Sequence, residues 1–217
     1  MLKNIIFDLD GTLLNSAESI DSAFKAAFRD NDLFKGGSPP EINLAFSLKE
    51  NIDHVLRDDE LSSVVEQSFK KVYDNKFYYK SDLYDGAHEV LERLSEDYTI
   101  FLVTNKRESI TKKILTHFDI IKFFSNFKGR SDRTENFNTK SELINDFFFN
   151  AGLNKDESIY IGDTRYDYEQ CKLIGLNFIW VAWGYDPPQE SARKELNIIN
   201  RWEDLYSYLI SCDEQQR

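Results

Sequence analysis

Cysteine, histidine and long apolar runs are scarce in this chain of 217 residues, and each scarcity excludes a class of protein. Two cysteines, Cys171 and Cys212, cannot build a disulfide framework, and without a Cys-x-x-Cys pair they do not suggest a zinc site. The three histidines lack i,i+4 spacing, which argues against a histidine metal site. No apolar run approaches the roughly 18 residues of a membrane span, and the first residues lack the apolar centre of a signal peptide. We therefore expect a cytoplasmic protein that does not enter a membrane.

Positive charge is also in short supply. The chain carries 27 Lys and Arg residues against 38 Asp and Glu residues, which gives a formal net charge of −11. Because few cations are available to neutralise phosphates, we expect neither nucleic-acid binding nor attachment to an anionic membrane. Hydrophobic residues make up 41% of the chain, which is enough to bury the core of one domain with a small insert.

Three short apolar runs end in acidic or small polar residues, and a fourth runs up to Trp183-Gly184. Their β-branched and aromatic content predicts buried parallel strands over 4–8, 99–104, 158–163 and 177–182, and 123–127 is a further candidate. Between them, apolar residues recur at helical spacing over 86–96, 108–117, 139–150 and 166–174. This alternation predicts an α/β fold with a doubly wound parallel sheet. Such sheets bind ligands beyond the carboxyl ends of their strands, where Asp8, Thr104 and Asp163 fall.

Residues 15–81 interrupt this alternation and contain no predicted strand. Apolar spacing predicts a helix over 16–29, another from Glu41, and a long one over 60–78. The inward face of the long helix is expected to carry five apolar residues, namely Leu61, Val64, Val65, Phe69 and Val72. We therefore expect two domains: an α/β core formed by 1–14 and 82–217, and a small helical domain, 15–81, inserted after the first strand.

Two pairs of aspartates lie at predicted strand ends. Asp8 and Asp10 stand two residues apart before Gly11, and Asp163 and Asp167 stand four apart after the strand over 158–163. Carboxylates that converge repel one another unless a cation intervenes, and hard oxygen ligands favour Mg²⁺. Plainer interpretations also exist, since Asp-Gly is a common turn dipeptide and Asp163 could cap a helix.

An ordered set of motifs carries these aspartates. It consists of Asp8-Leu9-Asp10-Gly11-Thr12, then Val103-Thr104-Asn105-Lys106, and then Gly162-Asp163-Thr164-Arg165-Tyr166-Asp167. The set resembles the haloacid dehalogenase (HAD) superfamily of phosphohydrolases, in its phosphoglycolate-phosphatase-like branch. The stretch Trp183-Gly184-Tyr185, followed by Glu190, is also similar to that branch. The resemblance implies a HAD-like Rossmannoid core, and it implies that 15–81 is the family's small α-helical cap, of type C1.

The resemblance further implies a Mg²⁺-dependent phosphatase that forms an aspartyl-phosphate intermediate. Asp8 would be the nucleophile, and Asp10 would protonate the leaving group and then activate water. A carboxylic acid at position 10 favours phosphate esters over haloacids. The metal would be held by Asp8, Asp163 and the main-chain carbonyl of Asp10, with support from Asp167.

Phosphate binding is assigned to Thr104 and Asn105 by the same resemblance, through the Thr104 hydroxyl and the backbone N–H groups near Asn105. The family's catalytic lysine is assigned to Lys140, which opens the predicted helix over 139–150, with Lys128 as the alternative. Lys106 and Lys128 are interpreted as solvated surface groups.

Substrate choice is less constrained than the reaction. Phe46 stands in the region of the cap where relatives usually carry glycine and small residues, which argues against phosphoglycolate itself. Lys49 or Arg57 could contact an anionic substrate, or both could be ordinary surface charges. We expect a small-molecule phosphate ester as the partner, and a monomer or homodimer. A phosphomutase, or a catalytically idle binding module on a hydrolase fold, remains the alternative.

Overall fold

A six-stranded parallel sheet organises the computed structural model, which describes residues 1–34, 37, 40–131, 137–189 and 196–214. The strands are β1 (Asn4–Phe7), β2 (Leu14–Asn15), β3 (Asp82–Leu83), β4 (Thr99–Arg107), β5 (Asn126–Arg130), β6 (Ser158–Gly162), β7 (Asn177–Val181) and β8 (Ile198–Ile199). The helices are α1 (Ala17–Asp30), α2 (Leu48–Leu56), α3 (Asp59–Val72), α4 (Ala87–Asp97), α5 (Glu108–His117), α6 (Lys140–Ala151), α7 (Arg165–Leu173) and α8 (Trp202–Glu214). None of these described helices is long and apolar enough to cross a membrane.

The order of the large sheet is β5-β4-β1-β6-β7-β8, and β2 and β3 form a separate two-stranded sheet. Every neighbouring pair in the large sheet runs parallel. The chain fills one side of β1 with β4 and β5, and then the other side with β6, β7 and β8. The order therefore reverses at β1, and in doubly wound sheets a ligand crevice opens at that point. The predicted α/β fold with a doubly wound parallel sheet is confirmed.

Both faces of the sheet are covered, which explains the near-continuous apolar character of its strands. On one face, Ile6 and Phe101 belong to a buried cluster with Phe147 of α6 and Cys171 of α7. Phe7 points to the opposite face, because neighbouring strand residues alternate, and its ring contacts Trp202 of α8. Burial on both faces fixes the register of β1. It therefore fixes the position of Phe7, the last residue of the strand, and of Asp8, which follows it.

The chain divides into two compact units, Met1–Asn15 with Leu83–Arg217, and Ser16–Asp82. The second unit is helical, and α1, α2 and α3 pack around a core of Phe24, Ala27, Phe28, Ile52 and Val65. The helix predicted from Glu41 was wrong, since α2 begins at Leu48. The Asn51 side chain accepts from the Asn43 N–H at 2.7 Å and donates to its carbonyl at 2.9 Å, so this segment satisfies its backbone without a helix.

Two further predictions in the helical unit need correction. The long helix over 60–78 was too long, because α3 ends at Val72 and a π-helical turn, Tyr73–Phe77, follows it. The inward position predicted for Val64 was wrong, since 45% of this residue is exposed, whereas Val65 is fully buried. Glu190 lies outside the described residues.

The strand predicted over 123–127 was displaced, because β5 runs from Asn126 to Arg130. Ile121–Phe123 form a 3-10 turn instead. β5 is an edge strand that pairs only with β4 among the described strands, and an edge strand tolerates polar residues on its open side. The polar residues Lys128 and Arg130 therefore continue a strand that hydrophobicity alone would end. β8 and α8 carry no prediction from the sequence, although Trp202 is buried as its aromatic character suggests.

Candidate active site

The carboxyl end of β1 carries the first aspartate of the site. The Asp8 N–H donates to the Ile161 carbonyl at 2.9 Å, so Asp8 continues the ladder between β1 and β6 and is held rigidly. The chain then reverses at Gly11, whose φ of +78° is open to glycine and strained for other residues. A Cβ atom on Gly11 would lie 2.1 Å from Asp163 Oδ2. Glycine at this position therefore permits both the reversal and the close approach of Asp163.

Three buried carboxylates converge beyond this strand end. Asp8, Asp163 and Asp167 each place an oxygen within 4.8 Å of the others. Asp163 Oδ2 accepts from the Tyr185 N–H at 2.7 Å, and its Oδ1 accepts from the Thr12 hydroxyl at 3.2 Å. The backbone and hydroxyl groups thus hold Asp163 at a fixed angle toward its neighbours.

Asp167 is anchored by the helix that begins beside it. The Thr164 hydroxyl and the Asp167 side chain form a reciprocal capping box at the start of α7, with Thr164 Oγ1 donating to Asp167 Oδ2 at 2.6 Å. The other oxygen of Asp167 accepts from the Lys140 ammonium. Asp163 and Asp167 therefore reach the same site, although Asp163 precedes α7 and Asp167 lies in its first turn.

Lys140 supplies the only ammonium in this cluster among the described residues. It is 2% exposed, and its Nζ donates to Asp8 Oδ1 at 2.8 Å and also to Asp167. A second capping box, between Thr139 and Glu142, starts α6 at Lys140 and so fixes the origin of the side chain. Lys128, the alternative from the sequence, lies 3.7 Å from Asp146 on a partly exposed surface, away from Asp8.

The charges in the cluster do not balance. Burial raises the pKa of Asp8 to about 6; Lys140 opposes this shift, while the negative charges of Asp167 and Asp10 add to it. Burial, together with the charges of Asp167 and Asp8, also raises the pKa of Asp163 well above its usual range. Three buried carboxylates and one ammonium suit a divalent cation, and an all-oxygen donor set suits Mg²⁺. The residues present therefore fit the expected metal.

The side chain of Asp10 lies outside the cluster of Asp8, Asp163 and Asp167. Both of its carboxylate oxygens lie 2.9 Å from the Lys106 ammonium. The interpretation of Lys106 as a solvated surface group was wrong, because only 9% of its side chain is exposed. Lys106 is two residues beyond Thr104, and no pattern in the sequence predicts that the intervening strand turns its side chain toward Asp10. Of the four predicted metal residues, Asp10 is the one whose carboxylate is directed elsewhere.

An irregularity in β4 produces this arrangement. Val103 pairs with Lys128, and Arg107 pairs with Arg130, so β4 has three residues where β5 has only Gly129. These three residues, Thr104, Asn105 and Lys106, form a bulge, which re-aims side chains that a regular strand would point alternately. A Cβ atom on Gly129 would lie 2.6 Å from the Lys106 carbonyl oxygen and 2.7 Å from the Glu108 backbone. Glycine in β5 therefore gives the bulge its space.

The two predicted phosphate-binding residues sit on this bulge in different surroundings. Thr104 is 2% exposed, and its hydroxyl oxygen accepts from the Lys106 N–H at 3.3 Å. Asn105 is exposed, and its Oδ1 accepts from the guanidinium of Arg130. Arg130 was not predicted from the sequence, because the predicted strand ended before it. The roles of Thr12 and Tyr185 as partners of Asp163 were not predicted either.

A sequence model of the haloacid dehalogenase-like hydrolases matches residues 5–181. The chain belongs to this family. The motif-based resemblance to haloacid dehalogenase hydrolases is thereby confirmed.

Individual relatives extend the similarity over nearly the whole chain. A phosphoglycolate phosphatase of Aliivibrio fischeri is 23% identical and covers 97% of this chain and 96% of that protein. Another, from Pseudomonas syringae, is 27% identical and covers 97% and 79%. Among solved structures, a haloacid dehalogenase-like family hydrolase from Streptococcus pneumoniae superposes with a TM-score of 0.85 at 23% identity, covering 96% of this chain and 98% of that one.

Proposed function

We propose that this protein, a phosphatase of the haloacid dehalogenase-like family, hydrolyses a small phosphorylated metabolite through an aspartyl-phosphate intermediate. The observation that carries the proposal is the contact between Asp8 and Lys140 at the carboxyl end of β1, beside Asp163 and Asp167. A carboxylate at that position, with a fixed ammonium against it, has the chemistry of a nucleophile for a phosphate ester. The phosphatase names of the relatives support the same reaction class.

Asp8 would attack the phosphorus in line with the ester oxygen, so that a bond from Asp8 to phosphorus forms as the ester bond breaks. Both reactants are negatively charged, and Lys140 contributes a fixed positive charge without any rearrangement. A bound Mg²⁺, held by Asp8, Asp163 and the Asp10 carbonyl with support from Asp167, would supply positive charge that further offsets this repulsion. The chain thus provides the nucleophile and the ligands from separate strand ends.

Asp10 would act first as the general acid and then as the general base. It would donate a proton to the leaving alkoxide, and then accept one from the water that attacks the phosphorus of the intermediate. The second step breaks the bond to Asp8 and releases inorganic phosphate. The side chain of Asp10 is 20% exposed, so it is accessible from solvent as this role requires.

Thr104 and Asn105 would bind the phosphate oxygens. The Thr104 oxygen accepts from the Lys106 N–H, so the hydroxyl proton remains to be donated to an anion. Burial of Thr104 strengthens such a hydrogen bond, because water competes less for it.

The helical unit, Ser16–Asp82, is proposed to act as the cap that selects the leaving group. The names of the relatives make phosphoglycolate the first compound to test, whereas Phe46, which is 57% exposed, favours a different leaving group. The cytoplasmic location and the monomeric or homodimeric state stay predictions.

The test is release of phosphate from p-nitrophenyl phosphate and from a panel of phosphorylated metabolites with Mg²⁺. We expect Asp8→Asn to lower the rate by roughly 10³-fold or more, because no nucleophile remains. Asp156→Asn, which makes the same change at an exposed site, is the control and should retain the wild-type rate. Equal rates for Asp8→Asn and the wild type would refute the covalent mechanism. Isomerisation of a sugar phosphate with little free phosphate would indicate a phosphomutase instead.

A further inference from the structure

Arg130, the last residue of β5, holds the Asn105 side chain with two donors. Its Nε lies 3.2 Å and its Nη2 lies 3.0 Å from Asn105 Oδ1, so both N–H groups converge on one oxygen. Its Nη1 donates to the Phe137 carbonyl. The guanidinium is therefore tied on one side to the main chain and on the other to the amide.

This contact decides which way the Asn105 amide faces. An amide side chain has one oxygen that accepts and one NH₂ that donates, and the two are interchanged by a rotation of 180°. A guanidinium has only donors, so it can bind the oxygen and cannot bind the NH₂. With Oδ1 turned to Arg130, the NH₂ group of Asn105 is turned away from Arg130. Without Arg130, either orientation would be available to this exposed side chain.

The position of Asn105 suggests a function for the fixed orientation of its amide. Asn105 follows Thr104 on the bulge of β4, next to the strand end where the phosphate is proposed to bind. An NH₂ group is a hydrogen-bond donor for a phosphate oxygen, whereas an amide oxygen would repel it. We propose that Arg130 is a positioning residue, which fixes the Asn105 side chain so that its NH₂ donates to the substrate phosphate. The proposal rests on the proposed function, because it concerns the same phosphate site.

The experiment measures binding of inorganic phosphate to the Mg²⁺-loaded protein by calorimetry, alongside kcat and KM for the best ester of the panel. The variants are Arg130→Met, Asn105→Ala and the double variant. Lys128→Met is the matched control, since it removes one positive charge from the same strand and Lys128 pairs with Asp146 rather than Asn105.

We expect Arg130→Met and Asn105→Ala each to weaken phosphate binding and raise KM by about ten- to hundredfold, as for loss of one hydrogen bond to a charged group, with a smaller change in kcat. The double variant should be no weaker than Asn105→Ala alone, because Arg130 acts through Asn105. Lys128→Met should bind phosphate like the wild type.

Arg130→Lys separates charge from geometry. Lysine keeps the charge but has a single nitrogen in its side chain, so it cannot place donors at the three positions of Nε, Nη1 and Nη2 in Arg130, and we expect part of the loss to remain. Wild-type binding in Arg130→Met, additive losses in the double variant, or an equal loss in Lys128→Met would each overturn the proposal. Phosphate binding tests the positioning role without relying on catalysis. A protein that binds phosphate through Arg130 and Asn105 but hydrolyses no ester would refute only the phosphatase mechanism. A wild type that binds no phosphate would overturn the positioning role as well.

Discussion

The two aspartates that follow β1 each contact a lysine, but the surroundings of the two ion pairs differ. Asp8 shares Lys140 with Asp167 and lies close to Asp163, so three buried carboxylates surround one ammonium. Asp10 has Lys106 bound to both of its oxygens, and this pair is charge-balanced and closer to solvent. The first pair thus belongs to a site that needs more positive charge, whereas the second is electrically complete.

This difference separates two kinds of contribution. Removal of the Lys140 ammonium leaves the charges of the buried carboxylates uncompensated in a medium that screens them poorly. We therefore expect large effects on both stability and chemistry. In the balanced pair, solvent can replace part of what either partner supplies, so the main effect is on the position of Asp10. Three predictions test that distinction.

The largest effect is expected for Lys140→Met. Without the ammonium, Asp8 and Asp167 lose their shared partner, and the metal-free protein should lose about 3–5 kcal/mol of its free energy of unfolding. Turnover with Mg²⁺ should fall roughly 10²- to 10³-fold, because a preorganised charge is lost. Chemical denaturation in EDTA and phosphate release measure the two effects. Lys128→Met is the control, and equal losses in both variants would contradict the assignment of Lys140.

A smaller effect is expected for Lys106→Met. The free energy of unfolding should fall by only about 1 kcal/mol, because the Asp10 side chain is 20% exposed and water can solvate it once Lys106 is removed. We expect kcat to fall about 10-fold as Asp10 loses its orientation, while Mg²⁺ affinity, measured by calorimetry, stays within about twofold of the wild type. A loss of stability as large as that of Lys140→Met would remove the contrast between the two pairs.

The last prediction concerns pH and the metal-free protein. Because the pKa of Asp8 rises from 3.8 in the unfolded chain to about 6 in the fold, the stability contributed by its bound proton is complete below pH 3.8 and is lost as pH rises through 6. Asp8→Asn removes this pH-dependent loss of stability. The Tm of the variant minus the Tm of the wild type should therefore be larger at pH 8 than at pH 5. Thermal unfolding in EDTA at the two pH values measures the difference. Asp156→Asn should show none, and a pH-independent difference for Asp8→Asn would argue against burial as its cause.

Periodicity and short motifs predicted the parts of this molecule that obey regular rules. The buried strands and the helices after them were predictable because both faces of the sheet are covered, and the aspartates were found because they end those strands. The Lys106–Asp10 pair was not predictable. It depends on extra residues in β4 opposite Gly129, and a bulge leaves no periodic signal in one strand read alone. Arg130 was missed for a related reason, since polar residues on an edge strand resemble a loop.

The carboxylate cluster draws on chain segments that are far apart in sequence. Lys140 is 132 residues from Asp8, and Thr12 is 151 residues from the Asp163 side chain that it contacts. An unfolded chain therefore has no such site, and a cation that binds there binds the native state alone. Mass action then links the metal to folding: Mg²⁺ at 100 times its Kd would add about 2.7 kcal/mol to the stability of the protein. If Mg²⁺ is the cation bound, as proposed, its free concentration would set how much of the protein is folded as well as how fast it turns over substrate.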